Sequence, residues 1–138
     1  MLKLNDDLLA CGGFYMVIKI WKLKSENPVR LLKGHTETVN CLLKLLKEEL
    51  IASGGYDNTI RIWSLETDET LYILYEHSNN ICKLINISEN TIASCGDNGK
   101  IFIWNYKEKD TNLKIVKETF TIYCIELISE EINSMQLM

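Results

Sequence analysis

Alternation of apolar and polar residues is clearest over 59–63, where Ile60 and Ile62 fall on one side and Arg61 on the other. A period of two is what a half-buried β-strand requires, because successive side chains leave opposite faces of the pleat. One stretch reads differently. Val39, Leu42, Leu43, Leu46 and Leu50 fall at helical spacing in a segment rich in Leu, Lys and Glu, which favour helices. Taken alone, 39–50 predicts an amphipathic helix.

The chain also repeats. Segments 10–21 (ACGGFYMVIKIW), 52–63 (ASGGYDNTIRIW) and 93–104 (ASCGDNGKIFIW) share one order: small residues, a turn, an alternating apolar strand and a tryptophan. Trp21, Trp63 and Trp104 stand 42 and 41 residues apart. Fourteen residues after each comes a second marker: His35 preceded by Gly34, His77 preceded by Glu76, and Glu118, where the histidine is lost. Behind the markers lie similar runs at 38–50, 81–92 and 121–132. The middle copy carries Asn86, Ile87, Ser88, Asn90 and Thr91 and reads as strand, turn, strand. Copies of one unit fold alike, so strands are expected in 39–50 as well, against its helical spacing.

A period near 41, a Gly-His ahead of an apolar strand and a strand closing on Trp resemble the WD-repeat (β-transducin-type) family of β-propellers, over nearly the whole chain. The resemblance implies an all-β fold, a partial propeller of about three and a third blades, each a four-stranded antiparallel sheet. The blades fall near 1–33, 34–75, 76–117 and, incomplete, 118–138. In the second, strands are expected at 38–44, 50–54, 59–63 and 71–75. Because 4–10 aligns with 46–52, the chain is expected to begin late in an inner strand and to end in the second strand of a fourth blade. Sheet edges left open in this way invite association. The expectation is either a piece of a larger propeller or a chain that self-associates. The Asp that usually follows the Trp is replaced by Lys22, Ser64 and Asn105.

His35, Ser53 and Asp57 are the ingredients of a hydrolytic triad. The resemblance implies something else: His35, Ser53, Asp57 and Trp63 match a buried hydrogen-bonded tetrad that ties strands together. No nucleophile-elbow sequence or Gly-rich oxyanion loop accompanies them, so no enzyme is expected. In the next blade the tetrad is partial: His77, Ser94 and Trp104 match, Asn98 takes the Asp position and Asp97 stands one residue early. In the first, Cys11 and Tyr15 stand where Ser and Asp belong. Their blades are expected to be less rigid.

The resemblance also implies partner contacts near the central channel, at Phe14 in the first blade, Thr38, Asn40 and Tyr56 in the second, Asn80, Cys82 and Asp97 in the third, and Thr121 and Tyr123 in the fourth. Phe14, Tyr56 and Tyr123 would make good anchors, since aromatics bury much area at low entropic cost; equally, they could merely cover their own blades. Scaffold or adaptor binding of a protein or peptide is the expected function. The alternatives are a fragment without independent activity and, less favoured, an enzyme with its site at the channel mouth. A net charge of −4 with scattered basic residues argues against nucleic acid. The five cysteines are odd in number, form no CxxC pair, and fit reduced, buried thiols of a cytoplasmic or nuclear protein. Neither they nor the two histidines have metal-ligand spacing, so no metal or cofactor is expected. No apolar run reaches membrane length.

Overall fold

The computed structural model describes residues 1–46 and 49–108, and the backbone of 114–118. Twelve strands form three sheets: β1 (Leu2–Lys3), β2 (Leu8–Cys11), β3 (Val17–Lys22) and β4 (Arg30–Lys33); β5 (Val39–Lys44), β6 (Leu50–Gly55), β7 (Ile60–Ser64) and β8 (Thr70–Leu74); β9 (Ile81–Ser88), β10 (Thr91–Gly96), β11 (Lys100–Asn105) and β12 (Lys114–Glu118). Each sheet runs up and down in chain order, every pair antiparallel. No helix occurs among the described residues. Over the described residues the architecture is all-β, three four-stranded antiparallel sheets arranged as the expected blades. The strands of the second blade start or stop within one residue of the expected limits.

The helical spacing of 39–50 has a simple cause. In the middle blade Leu42 packs with the cluster on one side, formed with Ala10, Ile18, Ile20 and Leu32 of the first blade, whereas Leu43 packs with the other, formed with Ile81, Leu84 and Ile92 of the third. A blade between two neighbours is apolar on both faces, so consecutive leucines are compatible with a strand. The masking of the period is therefore a consequence of burial on two sides.

Register repeats from blade to blade. Leu9 pairs with Trp21, Ile51 with Trp63 and Ile92 with Trp104. Two residues on, Cys11 pairs with Lys19, Ser53 with Arg61 and Ser94 with Phe102. Residues directly opposite in an antiparallel pair share a face, as do residues two apart. Each blade thus gathers its tryptophan, its Cys or Ser and the residue opposite on one face. The turn before the third strand passes through the left-handed region at one equivalent position, occupied by Met16 (φ 59°), Asn58 (φ 64°) and Gly99 (φ 75°). Gly and Asn adopt it readily, whereas a Met there is strained.

Blades are joined by apolar contact and by side chains that bond the next blade's backbone. Asn40 Nδ2 donates to the Ile81 carbonyl at 2.9 Å, Lys44 Nζ to that of Leu4 at 2.6 Å, and Asn86 Nδ2 to that of Lys44 at 2.9 Å. At the outer rim Arg30 Nη1 donates to the Leu65 carbonyl and to Asp68 Oδ1, the latter at 3.0 Å. Close approach is visible at Gly54, where a Cβ would lie 2.5 Å from Ile81 Cγ2 and 2.7 Å from Cys41 Sγ.

Candidate functional site

In the middle blade four side chains from separate parts of the repeat meet. Trp63 Nε1 donates to Ser53 Oγ at 2.8 Å, Ser53 Oγ lies 2.7 Å from His35 Nε2, and His35 Nδ1 lies 2.8 Å from Asp57 Oδ2. With the proton on Nδ1, the indole donates to the hydroxyl, the hydroxyl to the imidazole and the imidazole to the carboxylate. Every polar atom in the line then has a partner. Asp57 also accepts from Thr36 N, Thr59 N and Thr59 Oγ1, at 3.0, 3.0 and 2.8 Å. Burial alone would raise its carboxyl; these hydrogen bonds and the one from His35 outweigh it and hold the pKa below the ordinary value. For His35, burial outweighs Asp57 and lowers the pKa, so the ring is neutral at pH 7.

The same Ser-His-Asp order serves hydrolysis elsewhere. Here Ser53 has no exposed surface and its oxygen already accepts from Trp63. A hydroxyl so enclosed has no path to a substrate carbonyl. What the line does is fasten the loop before β5 to β6, the turn after it and β7.

In the third blade Trp104 Nε1 donates to Ser94 Oγ at 2.7 Å, and Ser94 Oγ lies 2.6 Å from His77 Nε2. Asn98 does not complete the line. Its Nδ2 donates to Asn79 Oδ1 at 3.1 Å and Ser78 Oγ at 3.4 Å, and its Oδ1 accepts from Lys100 N at 3.1 Å. His77 Nδ1 is buried without a hydrogen-bond partner. Phe102, opposite Ser94 where the middle blade has Arg61, meets the imidazole edge-on at 4.5 Å between centroids. Burial pushes the His77 pKa down to about 4.

In the first blade no histidine joins Trp21 among the described residues. Cys11, Lys19 and Trp21 are half-buried and Tyr15 is exposed. The Lys19 ammonium lies 4.8 Å above the Tyr15 ring centroid. Together with Gly12 and Phe14 they line a cavity of about 430 Å³.

The residues proposed for contacts lie at one end of the blades. Tyr56 N donates to the Thr38 carbonyl, Asp97 N to that of Asn80 and Val39 N to that of Gly13, at 2.9, 2.9 and 3.1 Å. These bonds bring the β2–β3, β6–β7 and β10–β11 turns to the starts of the inner strands. Phe14 is 84% exposed and Tyr56 47%. Asn40 is exposed at its surface but commits its amide to Ile81. The Cys82 thiol donates to Asp97 Oδ1; burial, then that neighbouring carboxylate, pushes its pKa up to about 12. It is therefore a protonated donor and no nucleophile at pH 7. Thr121 and Tyr123 lie outside the described residues. Sequence reasoning did not find the cavity of the first blade, although Cys11 and Tyr15 in the tetrad positions were its signal.

Among the described residues no three His, Cys, Asp or Glu side chains are grouped to hold a metal ion, and no helix is long and apolar enough to cross a membrane. The family model described as WD domain, G-beta repeat matches residues 26–64 and 68–105, more than half of the chain. A curated relative, the WD repeat-containing protein 26 homolog of Drosophila melanogaster, is 45% identical over 38 residues, which cover 28% of this chain and 6% of that protein. The matched part is thus a small share of the relative's length. WD repeats mark a family of protein-interaction scaffolds that are generally non-enzymatic. With two repeats matched in sequence, and His, Ser and Trp brought together in space in each, the chain belongs to the WD-repeat family.

Proposed function

We propose that the chain is a non-enzymatic interaction scaffold, working inside the cell in the cytoplasm, that binds a protein or peptide at the blade end carrying Phe14, Thr38, Asn40, Tyr56, Asn80, Cys82 and Asp97. One observation carries the reading. Tyr56 is an exposed aromatic on a fixed support: its N–H is bonded to Thr38, and the neighbouring Asp57 is held by three other residues. Such an anchor loses little freedom on binding. The net charge of −4 supports a protein partner over nucleic acid. Peptides selected on the folded chain from a random display library should lose most of their affinity on Tyr56→Ala or Phe14→Ala, with the strand signal in circular dichroism unchanged. Binding indifferent to both substitutions would refute the assignment of this face.

A second reading is part of a larger WD-repeat assembly, completed by self-association. It is favoured by Trp21, half-buried on the flank of the first blade where Trp63 and Trp104 are fully enclosed. A light-scattering mass that rises with concentration would support it; a constant monomer mass would count against it.

A further inference from the structure

The middle and third blades close the same corner with different atoms. A Cβ placed on Gly55 would lie 2.9 Å from His35 Nδ1 and 3.0 Å from Asp57 Oδ1; one placed on Gly96 would lie 2.9 Å from His77 Nδ1 and 3.1 Å from Asn98 Oδ1. Asp57 Oδ1 accepts from Thr59 N and Asn98 Oδ1 from Lys100 N, at 3.0 and 3.1 Å. The Asn98 carboxamide therefore stands where the Asp57 carboxylate stands. The two corners differ at the second heteroatom. Asp57 Oδ2 accepts from His35 Nδ1, whereas Asn98 Nδ2 is itself a donor. His77, only 4% exposed, is left with a buried Nδ1 and no partner for it.

Exchange of that one group, amide nitrogen for oxygen, is the net result of deamidation. Asn98 is followed by Gly99, and no other asparagine in the sequence precedes a glycine. Glycine has no side chain to keep its nitrogen away from the asparagine Cγ. Asn98 is exposed, in the turn between β10 and β11. The Lys100 N–H, bonded to Oδ1, is placed to stabilise the negative charge that gathers there during attack on Cγ. The Gly99 N–H is bonded to the Gly96 carbonyl at 3.0 Å, so attack waits on an opening of this turn. Exposed turns open locally at little cost.

We propose that Asn98 is a site of spontaneous deamidation through which the folded chain acquires the missing tetrad carboxylate of its third blade. Water is the co-reactant. The Gly99 nitrogen loses its proton to solvent and bonds Asn98 Cγ; the Cγ–Nδ2 bond breaks and ammonia leaves, giving a succinimide. Water then opens the ring. Addition at Cγ gives an aspartate, and addition at the main-chain carbonyl gives its β-linked isomer. Nothing is oxidised or reduced: one water is consumed and one ammonia released. The ring re-forms from either product, so the fold selects between them. The aspartate gains the bond to His77 Nδ1, whereas the β-linked isomer lengthens the main chain of a tight turn by one carbon. The new charge lies next to Asp97, at the blade end assigned above to partner contact, but the inference does not depend on that assignment.

The test ages the full chain in mildly alkaline water enriched in oxygen-18, one sample folded and one unfolded in urea. Mass spectrometry of the digested chain should find solvent oxygen at Asn98 ahead of every other asparagine in the folded sample. Synthetic peptides of the two isomers serve as chromatographic standards. The share of aspartate over its β-linked isomer at this position should be higher in the folded sample than in urea. In an NMR titration of the aged, folded chain, the converted fraction should show His77 raised from about 4 toward its ordinary 6.5, because a carboxylate at Nδ1 favours the imidazolium. Three results would each overturn the proposal: Asn98 intact in the folded sample once the urea sample has converted, the same isomer ratio in both, or a His77 that titrates as in fresh chain. All three readings are made on the unaltered chain, so none depends on whether a variant folds.

Discussion

Asn98 spends both ends of its side-chain amide on Ser78, Asn79 and Lys100, and His77 Nδ1 stays buried beside it without a partner. The equivalent pair in the preceding blade, His35 and Asp57, is bonded at 2.8 Å. Asn98→Asp should therefore supply the missing acceptor and stabilise the chain by about 1 kcal/mol, the ordinary net worth of a hydrogen bond. Urea unfolding at pH 7 measures it, and an unchanged or lower midpoint would refute the account of the third blade.

The two histidines predict an acid sensitivity well above the carboxylate range. His77 falls to about 4 in the folded chain, from an ordinary value of 6.5, and His35 is lowered as well. Below 6.5 the unfolded chain takes up protons that the folded chain refuses, so unfolding gains. The stabilisation is complete above pH 6.5 and is lost as pH falls toward 4. Asp57, itself lowered, adds a further loss only below its ordinary 3.8. Urea midpoints should decline between pH 6.5 and 4. Asn98→Asp should flatten that decline by giving the His77 imidazolium a counter-charge.

Ser53 joins two buried groups, so its removal orphans both. In Ser53→Ala the Trp63 indole N–H loses its acceptor and His35 Nε2 its donor. At about 1–3 kcal/mol per buried unsatisfied group, with some relaxation, a loss of about 2–4 kcal/mol is expected in chemical denaturation. Removal of a catalytic hydroxyl would leave stability nearly untouched, so the same measurement separates the two roles.

Gly54 sets the spacing between the middle and third blades. The methyl of Gly54→Ala would strike Ile81 and Cys41. Overpacking of this kind costs about 1–3 kcal/mol, and amide exchange should quicken first in β5, β6 and β9.

The spacing of the tryptophans and of the residues fourteen positions beyond them made the blade plan legible. It did so because a repeating unit must place equivalent residues at equivalent sites in each sheet. Helical spacing over 39–50 misled only as far as it was read alone; Leu42 and Leu43 feed opposite interfaces. The residues that meet around Ser53 were legible only through the resemblance to the WD-repeat family, whose tetrad they match. The Cys82–Asp97 contact, the Asn40–Ile81 bond and the position of Lys19 over Tyr15 were not. Each depends on how far one blade is rotated against the next or on a rotamer, and no periodicity encodes either. Nor could sequence show that Asn98 would turn to Asn79 in preference to His77, a choice made among competing partners only a few ångströms apart.

Lys44 reaches back to the first blade through its ammonium and receives the third through its carbonyl. One residue is thereby a rivet through three plates. Lys44→Ala should thus loosen Leu4 alone, because the Asn86 amide bonds the Lys44 carbonyl, which alanine keeps.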